Sequence, residues 1–215
     1  MRRITVLFGA PGVGKGTVGA ALSEKWKIPL VSMGDLLREQ VKSGTGLGRR
    51  ADEYMKKGEL VPDELVLEAI SERINAADAA AGFLLDGFPR NMLQAGMLEK
   101  IFVSGDECVV LNFESPDSLL IERLSQRRIC GGCGAIYHLT RIPPRRDDVC
   151  DRCGAALVQR EDDTPEVIAK RLEVFRKTTR PILDYYGKNH RIYSICAQGE
   201  LSETLVAIEE AGLWR

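Results

Sequence analysis

Gly9-Ala10-Pro11-Gly12-Val13-Gly14-Lys15-Gly16-Thr17 is the stretch whose reading decides the fold. It follows Ile4-Thr5-Val6-Leu7-Phe8, a β-rich apolar run that reads as a buried strand. It precedes a helical periodicity over 17–27, with Val18, Ala21, Leu22 and Trp26 on one side. A glycine-rich loop between strand and helix that carries a lysine in this place is the context a P-loop requires. The glycines let the backbone curl so that N–H groups face phosphate oxygens, and the helix N-terminus adds a favourable dipole. Lys15 can reach the β- and γ-phosphates as a mobile charge. Gly12, Val13, Gly14, Lys15, Gly16 and Thr17 are therefore candidate triphosphate ligands. One departure from the general pattern matters: Gly16 follows the lysine, and the hydroxyl arrives only at Thr17. Mg²⁺ is then expected to be held largely by phosphates and water. Asp86, ending an apolar strand, is placed to anchor one such water, with turn or helix capping as the alternative.

Outward from this loop, short apolar runs at 30–32, 83–86, 108–113 and 192–196 read as four more strands. Helical patterns at 35–42, 49–57, 63–76, 91–102, 116–126, 165–186 and 201–211 separate them, the one over 165–186 expected to break near Pro181. Strands alternating with helices predict an α/β protein with a five-stranded parallel sheet covered on both faces. The texture changes over about 127–160, where cysteines, glycines and Pro143-Pro144 suggest a small antiparallel insert. A chain of 215 residues builds one substantial core with room for such inserts. With 30 basic against 31 acidic residues there is no global basic field to support nonspecific nucleic-acid binding. No apolar run approaches the roughly 20 residues that span a bilayer. The start, Met1 to Phe8, reaches Gly9 and Pro11 too soon for a signal peptide, so a cytoplasmic enzyme is expected.

Four of the six cysteines form Cys130-x₂-Cys133-x₁₆-Cys150-x₂-Cys153, the spacing of a tetrahedral zinc site built from two knuckles. Disulfides are the alternative, disfavoured in a reducing cytosol. Four thiolates fill the coordination shell and leave no place for water, so the expected role is structural. Cys108 and Cys196 lie in strand-like runs as small apolar residues.

The loop string Gly-x-Pro-Gly-x-Gly-Lys-Gly-Thr resembles the nucleoside monophosphate kinases, the adenylate kinase family in particular. Ser32-Met33-Gly34-Asp35-Leu36-Leu37-Arg38, Asp86-Gly87-Phe88-Pro89-Arg90, Arg123-x-x-x-Arg127, Arg160-x-Asp162-Asp163 and Arg171 follow in the family's order. The resemblance implies a P-loop core over 1–31, 62–126 and 161–215, a flap for the accepting nucleotide over 32–61, and a zinc-binding lid over 127–160. It implies reversible Mg²⁺-dependent transfer, ATP + AMP = 2 ADP, by a monomer serving adenine nucleotide homeostasis. Phosphoryl transfer needs positioning and charge stabilisation, and planar guanidinium forks grip phosphate bidentately. By resemblance, Lys15, Arg90, Arg123, Arg127, Arg160 and Arg171 carry catalysis. ATP lies against the P-loop, Arg123, Arg127, Tyr137 and Gly199. AMP lies among Met33, Arg38, Val61, Gly87, Arg90, Gln94, Arg160 and Arg171. Asp162 and Asp163 orient lid arginines, or else cap the helix at Pro165.

The family pattern is broken in four places. Met33 and Asn91 stand where adenylate kinases usually carry Thr, and Arg141 and Ile142 where the lid usually carries Phe and Asn. Gly87-Phe88-Pro89-Arg90-Asn91 also occurs in UMP/CMP kinases, which makes a pyrimidine monophosphate the alternative acceptor. Gln94, able to donate and accept at a base edge, favours AMP. A more distant alternative is a nucleic-acid-binding ATPase with a zinc ribbon, to which Arg127, Arg128, Arg141, Arg145 and Arg146 lend a basic insert. It lacks an interleaved aromatic platform.

Overall fold

A computed structural model describes residues 2–212. Five parallel strands form the main sheet in the order β2-β3-β1-β4-β8: β1 (Arg3–Gly9), β2 (Leu30–Ser32), β3 (Gly82–Asp86), β4 (Glu107–Glu114) and β8 (Arg191–Cys196). β1 sits at the centre, with Val6 opposite Leu85 on one side and Val110 on the other. Its side chains alternate between two cores. Ile4, Val6 and Phe8 join Leu85, Phe83 and Val110 on one face, and Leu7 joins Leu84, Leu111 and Phe113 on the other. A strand buried on both faces is nearly continuously apolar, which is why Ile4 to Phe8 is broken only by the small buried Thr5. Each such side chain taken fully out of water contributes about 1.5–3 kcal/mol before chain entropy is charged against it.

The helices α1 (Lys15–Trp26), α2 (Met33–Lys42), α3 (Gly46–Lys56), α4 (Asp63–Ile74), α5 (Met92–Ile101), α6 (Asp117–Ser125), α7 (Pro165–Val174), α8 (Ile182–Asn189) and α9 (Leu201–Glu210) complete the fold, α2 and α3 as a packed pair. None among the described residues is long and apolar enough to cross a membrane. After β1 the chain jumps to the edge strand β2, returns inward to β3 beside β1, then crosses to β4 and β8 on the other side. The order thus reverses beside β1, and the crevice at the carboxyl end of such a strand is where α/β sheets bind ligands.

Several boundaries differ from the sequence reading, α3 starting at Gly46 rather than 49 among them, and two have a direct local cause. α2 begins at Met33, because the Ser32 hydroxyl caps it by accepting from Asp35 N at 3.4 Å. The long helix expected over 165–186 breaks at a π-helical turn, Phe175–Thr179, ahead of Pro181. Pro181 instead opens α8, a position where its missing N–H costs no hydrogen bond.

The insert is a three-stranded antiparallel sheet in the order β6-β5-β7: β5 (Arg127–Cys130), β6 (Ile136–His138) and β7 (Leu157–Val158). Its core is small, Cys130, Ala135, Tyr137, Cys150 and Leu157. A core of that size cannot order a subdomain by apolar burial alone.

Candidate active site

One cleft runs along the carboxyl edge of the sheet between the P-loop, the α2–α3 pair and the insert. Gly12 has φ 86°, and a Cβ there would meet Leu120 O at 2.8 Å, so only glycine lets the loop curl against α6. Gly14, also left-handed, stands at the N-cap of α1. Lys15 Nζ donates to Gly9 O at 2.7 Å and Ala10 O at 3.0 Å, so it spans the mouth of its own loop. Burial pulls its pKa down to about 8; Asp86 opposes that shift, and Arg90, Arg171 and Arg127 reinforce it. Asp86 ends β3, and its carboxylate faces Gly16 at the start of α1, where a Cβ would lie 3.5 Å from Oδ2. The next helix, α5, is capped by Asn91, whose Oδ1 accepts from Gln94 N at 2.8 Å.

The cationic side chains reach the cleft from four directions. Arg38, on α2, donates to Asp35 Oδ1 at 2.6 Å, and its guanidinium lies over Gly34, where a Cβ would come within 2.8 Å of it. Arg90 donates through Nε to Gly87 O at 2.8 Å and lies over Gly87 in the same way. Thr179, in the π-helical turn, donates its hydroxyl to Arg90 O at 2.7 Å. Arg127 opens β5 and makes a two-point contact with Asp163, Nε to Oδ2 at 2.8 Å and Nη2 to Oδ1 at 2.7 Å. Arg171, on α7, shares Asp163 Oδ1 at 3.0 Å and donates to Asp162 O at 2.8 Å. Arg160 has a buried Nε with no partner among the described residues, and its Nη2 stands 3.9 Å from Asp35 Oδ1. Burial first, then the neighbouring Arg127 and Arg38 charges, hold the Arg160 pKa down to about 10. Arg90 is lowered by burial and then by Arg171. A pocket that depresses several cations in this way is electrostatically short of anions.

Arg123 lies toward the other end, donating to Ala197 O at 2.7 Å and Val13 O at 3.3 Å, with Gly199 beside it. Gly12 to Thr17, Arg38, Val61, Asp86, Gly87, Arg90, Arg123, Arg127, Tyr137, Arg160, Arg171 and Gly199 all line the cleft. Met33 and Gln94 are buried beside it and absent from the lining. Gln94 Oε1 accepts from Arg90 N at 2.7 Å, and its Nε2 donates to Asp63 Oδ1 at 2.7 Å. Asn91 Nδ2 donates to the same Asp63 oxygen at 2.9 Å. The Tyr137 hydroxyl is committed to the insert, accepting from Asp151 N at 2.8 Å and lying 3.5 Å from Cys150 Sγ.

Asp163 is fully buried, and Thr164 rather than either aspartate caps α7, accepting from Val167 N at 3.4 Å. The capping alternative for Asp163 is thereby replaced by a clamp on two arginines. Asp35, Asp63 and Thr179 were not anticipated. The Asp35-x-x-Arg38 spacing of one helical turn could have flagged the first. Nothing local signals the other two.

The Sγ atoms of Cys130, Cys133, Cys150 and Cys153 all lie within 4.8 Å of one another. Cys130 Sγ accepts from Gly132 N and Cys133 N, each at 3.4 Å, and Cys150 Sγ from Arg152 N at 3.4 Å, hydrogen bonds suited to thiolates. The Tyr137 hydroxyl beside Cys150 holds that thiol down to about 6. At Cys153 the Ala155 amide acts downward, but the neighbouring cysteines outweigh it and push the thiol up to about 11. Four sulfurs this close cannot all ionise without a cation among them, and the donor set is the one zinc favours. Cys130 closes the strand that Arg127 opens, so the sulfur cluster and a cleft arginine share one rigid element.

A model of the adenylate kinase family matches residues 7–191. The chain is 47% identical over 208 residues to an adenylate kinase of Caldicellulosiruptor bescii, covering 96% of this chain and 97% of that one. It is 46% identical over 208 residues to an adenylate kinase of Methanocella arvoryzae, covering 96% of each chain. To an adenylate kinase of Archaeoglobus fulgidus it is 44% identical over 192 residues, 88% of each chain. The loop, the converging arginines and the knuckles thus sit in a chain that matches these relatives nearly end to end, and it belongs to the adenylate kinase family of nucleoside monophosphate kinases, which are phosphotransferases.

Proposed function

We propose that this protein transfers the γ-phosphoryl group of ATP to AMP, reversibly and with Mg²⁺, giving two ADP and so balancing the adenine nucleotide pool as a cytoplasmic monomer. The observation that carries this reading is the convergence of Lys15, Arg38, Arg90, Arg127, Arg160 and Arg171 on one cleft, where burial holds Lys15, Arg90, Arg160 and Arg171 below their usual pKa values. ATP binding alone needs the loop and a few charges. Two polyphosphates placed end to end need an array from several sides.

In this reading the core comprises 1–31, 62–126 and 161–215, the flap 32–61 and the lid 127–160. The P-loop amides of Gly12 to Thr17 cradle the donor phosphates, with Lys15 leaving its backbone carbonyls for the β- and γ-oxygens. Arg38 and Arg90 orient the acceptor phosphate. One of its oxygens attacks the γ-phosphorus in line as the bond to the β–γ bridging oxygen breaks, and the leaving ADP keeps that electron pair. Arg127, Arg160 and Arg171 stabilise the charge spread over the equatorial oxygens. The accepting phosphate is already anionic, so no strong general base is required. Mg²⁺ would neutralise β/γ charge, with Asp86 anchoring its water shell. Zinc would be held by Cys130, Cys133, Cys150 and Cys153 and would order the lid without touching substrate.

Asn91 Oδ1 caps α5 and its Nδ2 holds Asp63, so turning it toward a pyrimidine would uncap the helix, whereas Gln94 caps nothing, which favours AMP over CMP or UMP. Gln94 reaches adenine by exchanging its internal bonds for the base edge. Rates of ADP formation with MgATP and each of AMP, CMP, UMP and GMP test this. AMP is expected to be the strongest acceptor; fastest turnover on CMP, or ADP formation that ignores the acceptor, would refute it.

A further inference from the structure

Tyr137 is the bulkiest side chain of the small lid core, 6% exposed and packed with Cys130, Ala135, Cys150 and Leu157. It stands on β6, on the strand that leaves the first knuckle, yet its hydroxyl reaches the second. The oxygen accepts from Asp151 N at 2.8 Å, which commits a lone pair and leaves the phenolic proton to be placed. Cys150 Sγ, 3.5 Å away, is the acceptor that the described residues offer it. A buried hydroxyl without an acceptor is costly, so that proton belongs on the sulfur.

The sulfur it meets is one of two that hold the cluster from inside. Cys130 and Cys150 are buried, one from each knuckle, while Cys133 and Cys153 are exposed. A competing ligand from solvent therefore reaches Cys133 and Cys153 first, and the buried pair decides whether a half-opened site closes again. Cys130 Sγ takes amides of its own turn, Gly132 N and Cys133 N. Cys150 Sγ takes Arg152 N from its own turn and the Tyr137 O–H from the other knuckle's strand. A metal-bound sulfur is a thiolate, a stronger acceptor than a thiol, so this O–H bond is strongest in the metal-loaded lid.

We propose that Tyr137 is a positioning residue of the metal site: its hydroxyl fastens the second knuckle to the strand leaving the first, holds Cys150 Sγ in place as a ligand, and so slows loss of the metal. This rests on the zinc assignment above. The consequence reaches the cleft, because the Tyr137 ring is part of its wall and the next residue, His138, pairs with Arg127. One side chain thus ties the sulfur cluster to the strand that backs a cleft arginine.

Two measurements on the full chain test it, with the parent, Tyr137→Phe and Thr140→Val compared. One is zinc affinity and release rate by competition with a chromophoric chelator. The other is the sulfur-to-metal charge-transfer band of the cobalt(II)-loaded protein. Phenylalanine keeps the ring and removes only the hydroxyl. Thr140→Val removes a nearby lid hydroxyl that bonds Gln126 and His138 rather than a sulfur. Tyr137→Phe is expected to weaken zinc binding roughly tenfold or more and to speed release by a similar factor, as for other groups that bond a ligand atom from outside. Its cobalt band should move to longer wavelength, because a thiolate freed of a hydrogen bond gives up electron density more readily. Its melting temperature should fall further below the parent's with zinc than without, since only the metal-bound form loses affinity. Thr140→Val should stay within about twofold of the parent in zinc affinity and leave the band in place. An unchanged affinity or an unmoved band in Tyr137→Phe, an equal loss in Thr140→Val, or equal melting deficits with and without zinc would overturn the proposal. A parent that takes up no zinc would refute the metal reading and the proposal with it, whereas an unaltered Tyr137→Phe beside a zinc-binding parent overturns the proposal alone.

Discussion

Replacing Asp163 with Asn keeps the shape of the side chain and removes its charge. In the structure this fully buried carboxylate accepts three hydrogen bonds from two guanidinium groups, at 2.8 and 2.7 Å from Arg127 and 3.0 Å from Arg171. An amide can keep its oxygen on the position shared by both arginines. Its NH₂ then faces Arg127 Nε, donor against donor. One charge-assisted bond is lost outright, about 1.5–3 kcal/mol, and the remaining two weaken as the acceptor becomes neutral. Removing one partner of a buried ion pair generally costs about 3–5 kcal/mol, so a loss of about 3 kcal/mol is expected in the ligand-free protein. Urea unfolding followed by circular dichroism should then show the midpoint about 1–1.5 M lower at unchanged slope. Saturating diadenosine pentaphosphate offers both arginines new anionic oxygens, so the deficit should shrink by more than half in its presence. A loss under about 0.5 kcal/mol would refute the burial argument, being no more than an exposed ion pair provides. A deficit identical with and without the polyphosphate would show that these arginines serve structure alone.

Three further outcomes follow from the same geometry. Lys15, held near pH 8 by burial, regains its proton when polyphosphate binds, so ATP binding should take up protons between about pH 8 and 10.5, and affinity should fall as pH rises through 8. Over that window the unfolded chain binds more protons than the folded one, so the Lys15 contribution to stability rises with pH; calorimetry near pH 8.5 in buffers of different ionisation enthalpy should detect the uptake, and none would contradict it. Chelating the lid metal or substituting Cys133→Ser should lower the melting temperature by roughly 5 °C or more and reduce donor-side affinity, because Cys130 and Arg127 share β5; four free thiols and no zinc in an active preparation would sink the assignment. Gln94→Ala should raise the KM for AMP roughly tenfold with the KM for ATP unchanged, and equal effects on both would remove Gln94 from acceptor recognition.

The parts of this molecule that could be read in advance are those whose signals are local. The P-loop lies within nine consecutive residues between a strand and a helix, and the four cysteines declare their chemistry by spacing. Strand–helix alternation was enough to predict a parallel sheet, because burial on both faces leaves continuous apolar runs. What stayed open depended on partners distant in sequence. Asp163 could be a helix cap or an arginine clamp until Arg127, 36 residues earlier, was placed against it. The break at Phe175–Thr179 carries no glycine or proline inside it; its visible consequence is the Thr179 hydroxyl meeting Arg90 O across 89 residues. Gln94 likewise showed its pattern in sequence, but not that Asp63 and the Arg90 amide already hold both ends of its amide.

The central claim is that facing polyphosphates draw Arg38, Arg90, Arg127, Arg160 and Arg171 away from the groups they now touch. A crystal structure with diadenosine pentaphosphate bound examines this most directly. The expected result is guanidinium nitrogens of these side chains within about 3 Å of phosphate oxygens, with Lys15 turned from Gly9 O and Ala10 O to the phosphate chain. Phosphates met only by the loop amides and water, with the arginines still on Asp35, Gly87 and Asp163, would contradict it.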